Sequence, residues 1–328
     1  MIVVNLWFIK HSNGLFHYGM DYAVALSADV REIWVRDDTL ARLVATRLPT
    51  VPVRILNTQS LVRAAVETVR RRDALFTPSS HPIAFVPRQT VVVHDSFPFE
   101  GKAGRLKRLL FRVGLFASHG VAGYINRVDG YQFLETCGVP SHRTRYLPNR
   151  IGDTCVSAGN PAIVGDRIVV GLFGSDSPKK NYDAIFAQAK PIARLADVQW
   201  RIFGHENEYT ERLKRDYPLC PITVVASDTM TLDEFLDTID IAVSTAKGEG
   251  FARPIALSLM RGIPTWLLDT PVFREFYQGS ARLFPTVAAL VNAIAAIEPG
   301  DRLERPVLQT ENALRTDFVA GIAWLRQR

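Results

Sequence analysis

Residues 247–254 read Lys-Gly-Glu-Gly-Phe-Ala-Arg-Pro. They follow an apolar run at 239–244, Ile-Asp-Ile-Ala-Val-Ser, and precede another at 255–260 that stops at Gly262-Ile263-Pro264. The pattern predicts a strand, a Gly-rich turn and a helix, with Pro254 at the first helical position, where its missing N–H costs nothing. The free N–H groups of a helix start and the helix dipole form an anion site. Glu249, just before that turn, has the wrong charge for a phosphate but suits sugar hydroxyls. Phosphate donors beside a hydroxyl acceptor point to a nucleotide-sugar. The same residues also read as a polar turn capping a core helix.

Outward from this stretch, short apolar runs alternate with helix-period segments, the signature of parallel α/β architecture. Strands are expected near 1–7, 31–36, 52–56, 74–77, 90–94, 121–125 and 144–147, then again near 167–173, 198–203, 221–226, 239–244 and 264–268. Helices are expected near 14–28, 39–48, 58–71, 103–116 and 128–137 in the first half. In the second they fall near 180–194, 207–216, 231–238, 254–261, 271–277 and 287–297, with a last one at 310–327. The aperiodic segment 148–166 is the expected link. The expected domains are 1–155 and 156–310, both Rossmann-like and doubly wound, with 311–328 a terminal helix packing back on the first. In such folds ligands bind outside the carboxyl ends of the strands, here in the cleft between the two domains.

The chain has 328 residues, 47% of them hydrophobic, enough for two cores. Residues 1–160 carry 20 Lys+Arg against 12 Asp+Glu, and residues 161–328 carry 19 against 21, which directs the first half toward an anionic surface or substrate. Cys137, Cys155 and Cys220 have neither metal nor disulfide spacing, which fits a reducing cytosol. No signal peptide and no membrane-spanning run is read.

Four other places carry candidate chemistry. Residues 174–181, Gly-Ser-Asp-Ser-Pro-Lys-Lys-Asn, follow a strand and open a helix, so Lys180 can neutralise a diphosphate; the loop also reads as a solvated connection. It lacks the spacing of a Walker A loop, and no G-x-G-x-x-G follows a strand, which disfavours a dinucleotide-dependent dehydrogenase. His94-Asp95 ends the strand Val91-Val92-Val93 and is placed to bond a sugar or move a proton. Ser12-Asn13-Gly14 brings amides toward phosphates or, more simply, caps a helix. Residues 101–112 alternate Lys102, Arg105, Lys107, Arg108 and Arg112 with Leu106, Leu109, Leu110 and Phe111. This is either a basic amphipathic helix for anionic lipid or a core helix with a solvated basic face. No stacking platform accompanies the charge, so nucleic acid is not an expected partner.

Together these segments resemble the GT-B-fold retaining glycosyltransferases of family 4 along nearly the whole chain. The resemblance is carried by Asn13-Gly14, by His94-Asp95-Ser96-Phe97-Pro98, by Leu147-Pro148-Asn149, by residues 174–181, by Ile202-Phe203-Gly204, by Glu249-Gly250-Phe251-Ala252-Arg253-Pro254, and by Gly262-Ile263-Pro264 with Asp269. It implies that Lys180 contacts the donor diphosphate and that Glu249 binds hydroxyls of the transferred sugar. Gly250, Phe251 and Ala252 would face the sugar and phosphate, with Asn13, Gly14, Gly174, Ser175 and Pro254 also about the donor. His94 would face the sugar from the first domain, 1–155, which would bind the acceptor, while 156–310 would bind the nucleotide-sugar.

Two positions depart from the family. Its ribose-holding glutamate falls at Leu257 and its diphosphate arginine at Ser175; Arg253 is expected to supply the missing charge. The implied activity is metal-independent transfer of a hexosyl group from a nucleoside-diphosphate-sugar to a glycan or glycolipid hydroxyl, with retention and no cofactor. It would serve cell-surface polysaccharide or lipopolysaccharide synthesis at the cytoplasmic face of the membrane. A nucleotide-sugar epimerase and a non-catalytic nucleotide-sugar-binding relative are the alternatives.

Overall fold

The structure, a computed structural model, describes residues 1–152, 162–163, 167–175 and 178–328. The expected boundary at 155/156, most of the expected link and Cys155 lie outside the described residues. The chain divides into two compact units, Met1–Arg150 with Asn312–Arg328, and Ile151–Glu311.

Unit 1 holds a seven-stranded parallel sheet of β1 (Ile2–Asn5), β2 (Val30–Val35), β3 (Val53–Ile55), β4 (Ala74–Thr77), β5 (Gln89–Val93), β6 (Val121–Tyr124) and β7 (Thr144–Tyr146), in the order β3-β2-β1-β4-β5-β6-β7. The order reverses between β1 and β4, so the sheet is doubly wound. Sheets covered on both faces need strands apolar throughout, and Val91, Val92 and Val93 have no exposed surface. Its helices are α1 (Gly14–Ala25), α2 (Asp38–Arg47), α3 (Thr58–Arg71), α4 (Gly101–Ala117) and α5 (Gln132–Thr136). A π-helical turn, Arg127–Tyr131, leads into α5.

Buried Tyr18 and Tyr22 on α1 donate hydroxyl bonds to the carbonyls of Leu147 and Pro148, both at 2.9 Å. Burial raises both phenols well above the usual tyrosine range, so they stay protonated.

Unit 2 repeats the plan. Its six-stranded parallel sheet contains β9 (Val169–Phe173), β10 (Gln199–Gly204), β11 (Ile222–Ala226), β12 (Ile241–Ser244), β13 (Thr265–Leu268) and β14 (Arg282–Phe284), in the order β11-β10-β9-β12-β13-β14. A separate antiparallel pair joins β8 (Ala162–Ile163) to β15 (Arg302–Leu303). The helices are α6 (Tyr182–Ala189), α7 (Glu208–Asp216), α8 (Leu232–Leu236), α9 (Arg253–Met260), α10 (Pro271–Tyr277) and α11 (Val287–Ala295). Ile185, Phe186, Trp200, Ile202, Leu213, Leu290 and Ile294 form a fully buried core.

The last helix, α12 (Glu311–Arg326), packs within unit 1. Phe318 meets the Tyr22 ring at 4.8 Å, and Arg326 pairs with Asp29 at 3.0 Å.

The sequence reading omitted β14, three residues too short to show a period, in which Arg282 stacks over Trp266 and Phe284. It also omitted the two-residue strands β8 and β15.

Candidate functional site

In unit 2 the strand order reverses between β9 and β12, so the loops following these two strands meet at the carboxyl edge of the sheet. They are tied by backbone and side chain. The Lys247 amide donates to the Lys179 carbonyl at 3.1 Å, and the Thr245 hydroxyl to the Lys180 carbonyl at 3.2 Å. Across this junction Lys180 Nζ meets Glu249 Oε1 at 2.6 Å, with side chains only 16% and 13% exposed. Two residues 69 apart in the chain thus form one ion pair.

Contrary to expectation, Lys180 is not in the first turn of the helix. It ends a short 3₁₀ turn, Pro178–Lys180, and Asn181, at φ 63°, redirects the chain into α6. Gly174 sits at φ 83°, a conformation that favours glycine, and its carbonyl accepts the Tyr182 hydroxyl at 2.7 Å.

The start of α9 also differs from expectation. Arg253 is the first helical residue and Pro254 the second. Pro254 has no N–H, and Ile255 N–H turns back to the Ala252 carbonyl at 2.9 Å. Any anion binding by this helix end therefore comes from amides ahead of Pro254. Ala252, the N-cap, lies at φ 59°, in the left-handed region that a non-glycine residue enters only with strain. The loop is held there from behind. The buried Tyr277 hydroxyl donates to the carbonyls of Phe251 (a short contact) and Ala252 (3.4 Å), and the Phe251 ring packs edge-on to Phe276 at 4.8 Å. Burial and then the Glu249 charge raise the Tyr277 phenol well above its usual range, so it remains a donor. Gly250 and Phe251 are buried, and Ala252 and Arg253 are partly exposed at the turn.

Ser175 is buried and spoken for. Its hydroxyl donates to the His205 carbonyl at 2.6 Å and accepts the His205 amide at 2.8 Å, while its own carbonyl accepts from Asn207 Nδ2 at 2.7 Å. A Cβ on Gly204 would stand 2.4 Å from its Oγ. The Ser175 side chain, expected at the donor, clamps the turn after β10.

In unit 1, Asn13 is the N-cap of α1, its Oδ1 accepting from the amides of Leu15 (3.1 Å) and Phe16 (3.3 Å). These two amides are therefore satisfied by the cap. Gly14 is exposed, with open space where a Cβ would stand. His94 follows β5 and packs edge-on against Tyr18 at 4.6 Å. Its Nε2 lies 3.0 Å from the Pro78 carbonyl, which only accepts, so Nε2 carries a proton. Asn126 donates to the His94 carbonyl at 3.0 Å, and Asp129 accepts the Ser96 amide at 3.0 Å, fastening the π-helical turn to this strand end.

Along α4, Gly104, Phe111, Gly114 and Leu115 face the core. Leu106, Leu109, Leu110 and Val113 are 59%, 55%, 61% and 56% exposed, and Lys102, Arg105, Lys107 and Arg112 are exposed beside them. Solvated aliphatic side chains at i, i+3, i+4 and i+7 set this helix apart from an ordinary core helix with a wet basic face.

Two contributors were missed by the sequence reading. Tyr277 stands 26 residues beyond Phe251, and Thr245 directly follows an apolar strand; neither carries a signal without the fold.

No protein-family model matches the chain, and no curated protein matches it. Solved structures do. The chain is similar to HepE of Anabaena in complex with UDP-glucose, at 16% identity over 100% of this chain and 94% of that one, with a TM-score of 0.67. It is similar to TarM of S. aureus in complex with UDP and alpha-GlcNAc-glycerol, at 8% identity over 100% and 96%, TM-score 0.67. It is also similar to WaaG, a glycosyltransferase involved in lipopolysaccharide biosynthesis, at 11% identity over 100% and 96%, TM-score 0.63. At these identities the likeness shows the fold, that of the GT-B class built from two Rossmann-like α/β units.

Proposed function

We propose that the chain is a glycosyltransferase that moves a hexosyl group from a nucleoside-diphosphate-sugar to a hydroxyl of a glycan or glycolipid acceptor. The observation that carries this is the Lys180–Glu249 pair at the unit 2 switch point, beside the start of α9. A cation and a hydroxyl-accepting carboxylate stand together where an α/β fold binds ligands. HepE and TarM, which share the fold, were solved with UDP-glucose and with UDP.

In this proposal Glu249 accepts bonds from sugar hydroxyls, and His94 contacts the transferred sugar. Lys180, Arg253 and the amides of Gly250, Phe251 and Ala252 offset the charge that develops on the departing diphosphate. One well-placed donor of that kind is worth about 3 kcal/mol. Lys180 and the loop amides take the place of a metal. Retention is proposed from the family resemblance.

The acceptor would belong to cell-surface polysaccharide or lipopolysaccharide synthesis. The exposed face of α4 would rest on the anionic cytoplasmic leaflet, its aliphatic side chains at the acyl boundary and its cations on headgroups. Among the described residues no helix is long and apolar enough to cross a membrane.

A thermal-shift screen of nucleotide-sugars on the purified chain identifies the donor, with about 2.7 kcal/mol of stabilisation expected at a hundredfold excess over Kd. Transfer must then require an acceptor and survive chelation of divalent metal. Conversion of donor alone would mark an epimerase, and no stabilisation by any donor would sink the proposal.

A further inference from the structure

At the carboxyl edge of the unit 1 sheet, the turns after β1, β2 and β3 surround an open cavity of about 440 Å³ lined by Trp7, Arg36, Ile55, Leu56, Asn57 and Thr58. The cavity lies wholly within unit 1, and none of the residues assigned above to donor chemistry lines it.

Its aromatic wall is fixed. The Trp7 indole N–H donates to the Leu56 carbonyl at 2.6 Å, and the Trp7 amide donates to Asn5 Oδ1 at 3.2 Å. Phe8 packs edge-on to the indole at 5.1 Å and is itself stacked on His81 at 4.7 Å. The Arg36 guanidinium stands 5.7 Å from the Trp7 ring centroid. Ile55 is exposed beside it, and no Asp or Glu is among the lining residues.

We infer that this cavity is the acceptor subsite and takes a sugar ring bearing an anionic substituent, a carboxylate or a phosphate. The inference presupposes the glycosyl transfer proposed above. A rigid indole and neighbouring aliphatic side chains offer a flat apolar wall to the C–H face of a pyranose, with little side-chain entropy left to lose. The guanidinium offers a planar fork that matches carboxylate or phosphate geometry. With no carboxylate in the lining to repel it, an anion gains charge-assisted bonds that a neutral hydroxyl does not. The volume lies in the range of small-ligand sites, about 300–1,000 Å³.

The test uses the full chain labelled with 5-fluorotryptophan and read by ¹⁹F NMR. Five tryptophans give five resonances, and Trp7→Phe assigns the one at the cavity. The probes are methyl glucuronide, glucose 6-phosphate and methyl glucoside. The Trp7 resonance should move with one or both anionic sugars and not with the neutral glucoside, and whichever anion acts at lower concentration identifies the source of the charge. Arg36→Gln should weaken that response about tenfold or more while the other four tryptophan resonances keep their positions. A Trp7 resonance unmoved by both anionic sugars, or moved equally by methyl glucoside, overturns the inference. Thermal stabilisation by UDP-glucose is recorded in parallel. Stabilisation with a silent Trp7 rejects the subsite and leaves the transferase proposal standing. A Trp7 response without stabilisation by any nucleotide-sugar leaves an anionic-sugar site at the cavity but overturns its role as an acceptor subsite, together with the transferase proposal.

Discussion

Removing the cation from the Lys180–Glu249 pair, with Lys180→Met, should destabilise unit 2 in the free protein and abolish its response to donor. The size follows from burial. Exposed ion pairs contribute about 0–1 kcal/mol, because water screens them and side-chain ordering opposes them. Breaking a fully buried pair costs about 3–5 kcal/mol, because one charge is stranded. With side chains 16% and 13% exposed and 2.6 Å between the charged atoms, this pair lies between the limits. About 1–2 kcal/mol is expected for the single variant, which for a unit of this size is roughly 2–8 °C in Tm.

A double-mutant cycle with Glu249→Gln isolates the interaction, and urea denaturation reads it. The coupling should be about 1 kcal/mol or more, and the double variant should be less perturbed than the two single changes added. The donor response is the second half of the test. A diphosphate reaching Lys180 must draw it from Glu249, so saturating nucleotide-sugar should raise the Tm of the wild-type chain and leave Lys180→Met nearly unmoved. Coupling below about 0.3 kcal/mol, the noise of additivity, would refute the energetic half. A Lys180→Met protein with the full donor response would refute the assignment of Lys180 to the diphosphate.

Ala252→Gly should stabilise the chain by up to about 1 kcal/mol in thermal melts, because relief of left-handed strain at φ 59° outweighs the entropy of added glycine; a lower Tm contradicts the strain. Ser175→Arg, which restores the family's arginine, should cost about 1–3 kcal/mol in denaturant titrations and gain no donor affinity, because the side chain it replaces is buried between Gly204 and His205. Replacing Leu106, Leu109 and Leu110 with Ser should abolish sedimentation with phosphatidylglycerol vesicles and leave the fold intact by circular dichroism, since those side chains touch solvent in the free protein. Although the residue as a whole is exposed, desolvation of the His81 ring where it stacks on Phe8, and secondarily the Lys107 charge, hold it below the ordinary histidine value of about 6.5. The fold thus prefers the neutral ring, and this contribution is whole above pH 6.5 and lost as pH falls through the lowered value. His81→Phe, which keeps the stack on Phe8, should lose less Tm between pH 7 and 5 than the parent; an equal loss rules His81 out as the cause.

How much of this was legible in the sequence varies by element, for physical reasons. A strand such as Val91-Val92-Val93 announces itself because both its faces are covered, and α3 spans the expected 58–71, its start fixed in the structure by a capping box of Asn57 and Ser60. The switch-point loops were legible as Gly-rich turns, but the meeting of Lys180 with Glu249 depends on a strand order that no local pattern encodes. The hydrogen bonds of Ser175 were hidden for the same reason: its partners lie 30 residues away, on the turn after β10. The most instructive case is α4. Its apolar residues fall on two faces, Phe111 and Leu115 on one and Leu106, Leu109, Leu110 and Val113 on the other, so hydrophobic period alone does not say which is inward. The glycines decide it. A Cβ at residue 104 would stand 2.2 Å from the Phe99 backbone, and one at 114 would stand 2.9 Å from Pro82. Only the face carrying both glycines can approach the Phe99 and Pro82 segments this closely, and it is the face that buries Phe111. The leucine-rich face is then left in water, flanked by cations, and it is on that combination that the proposed contact with an anionic leaflet rests.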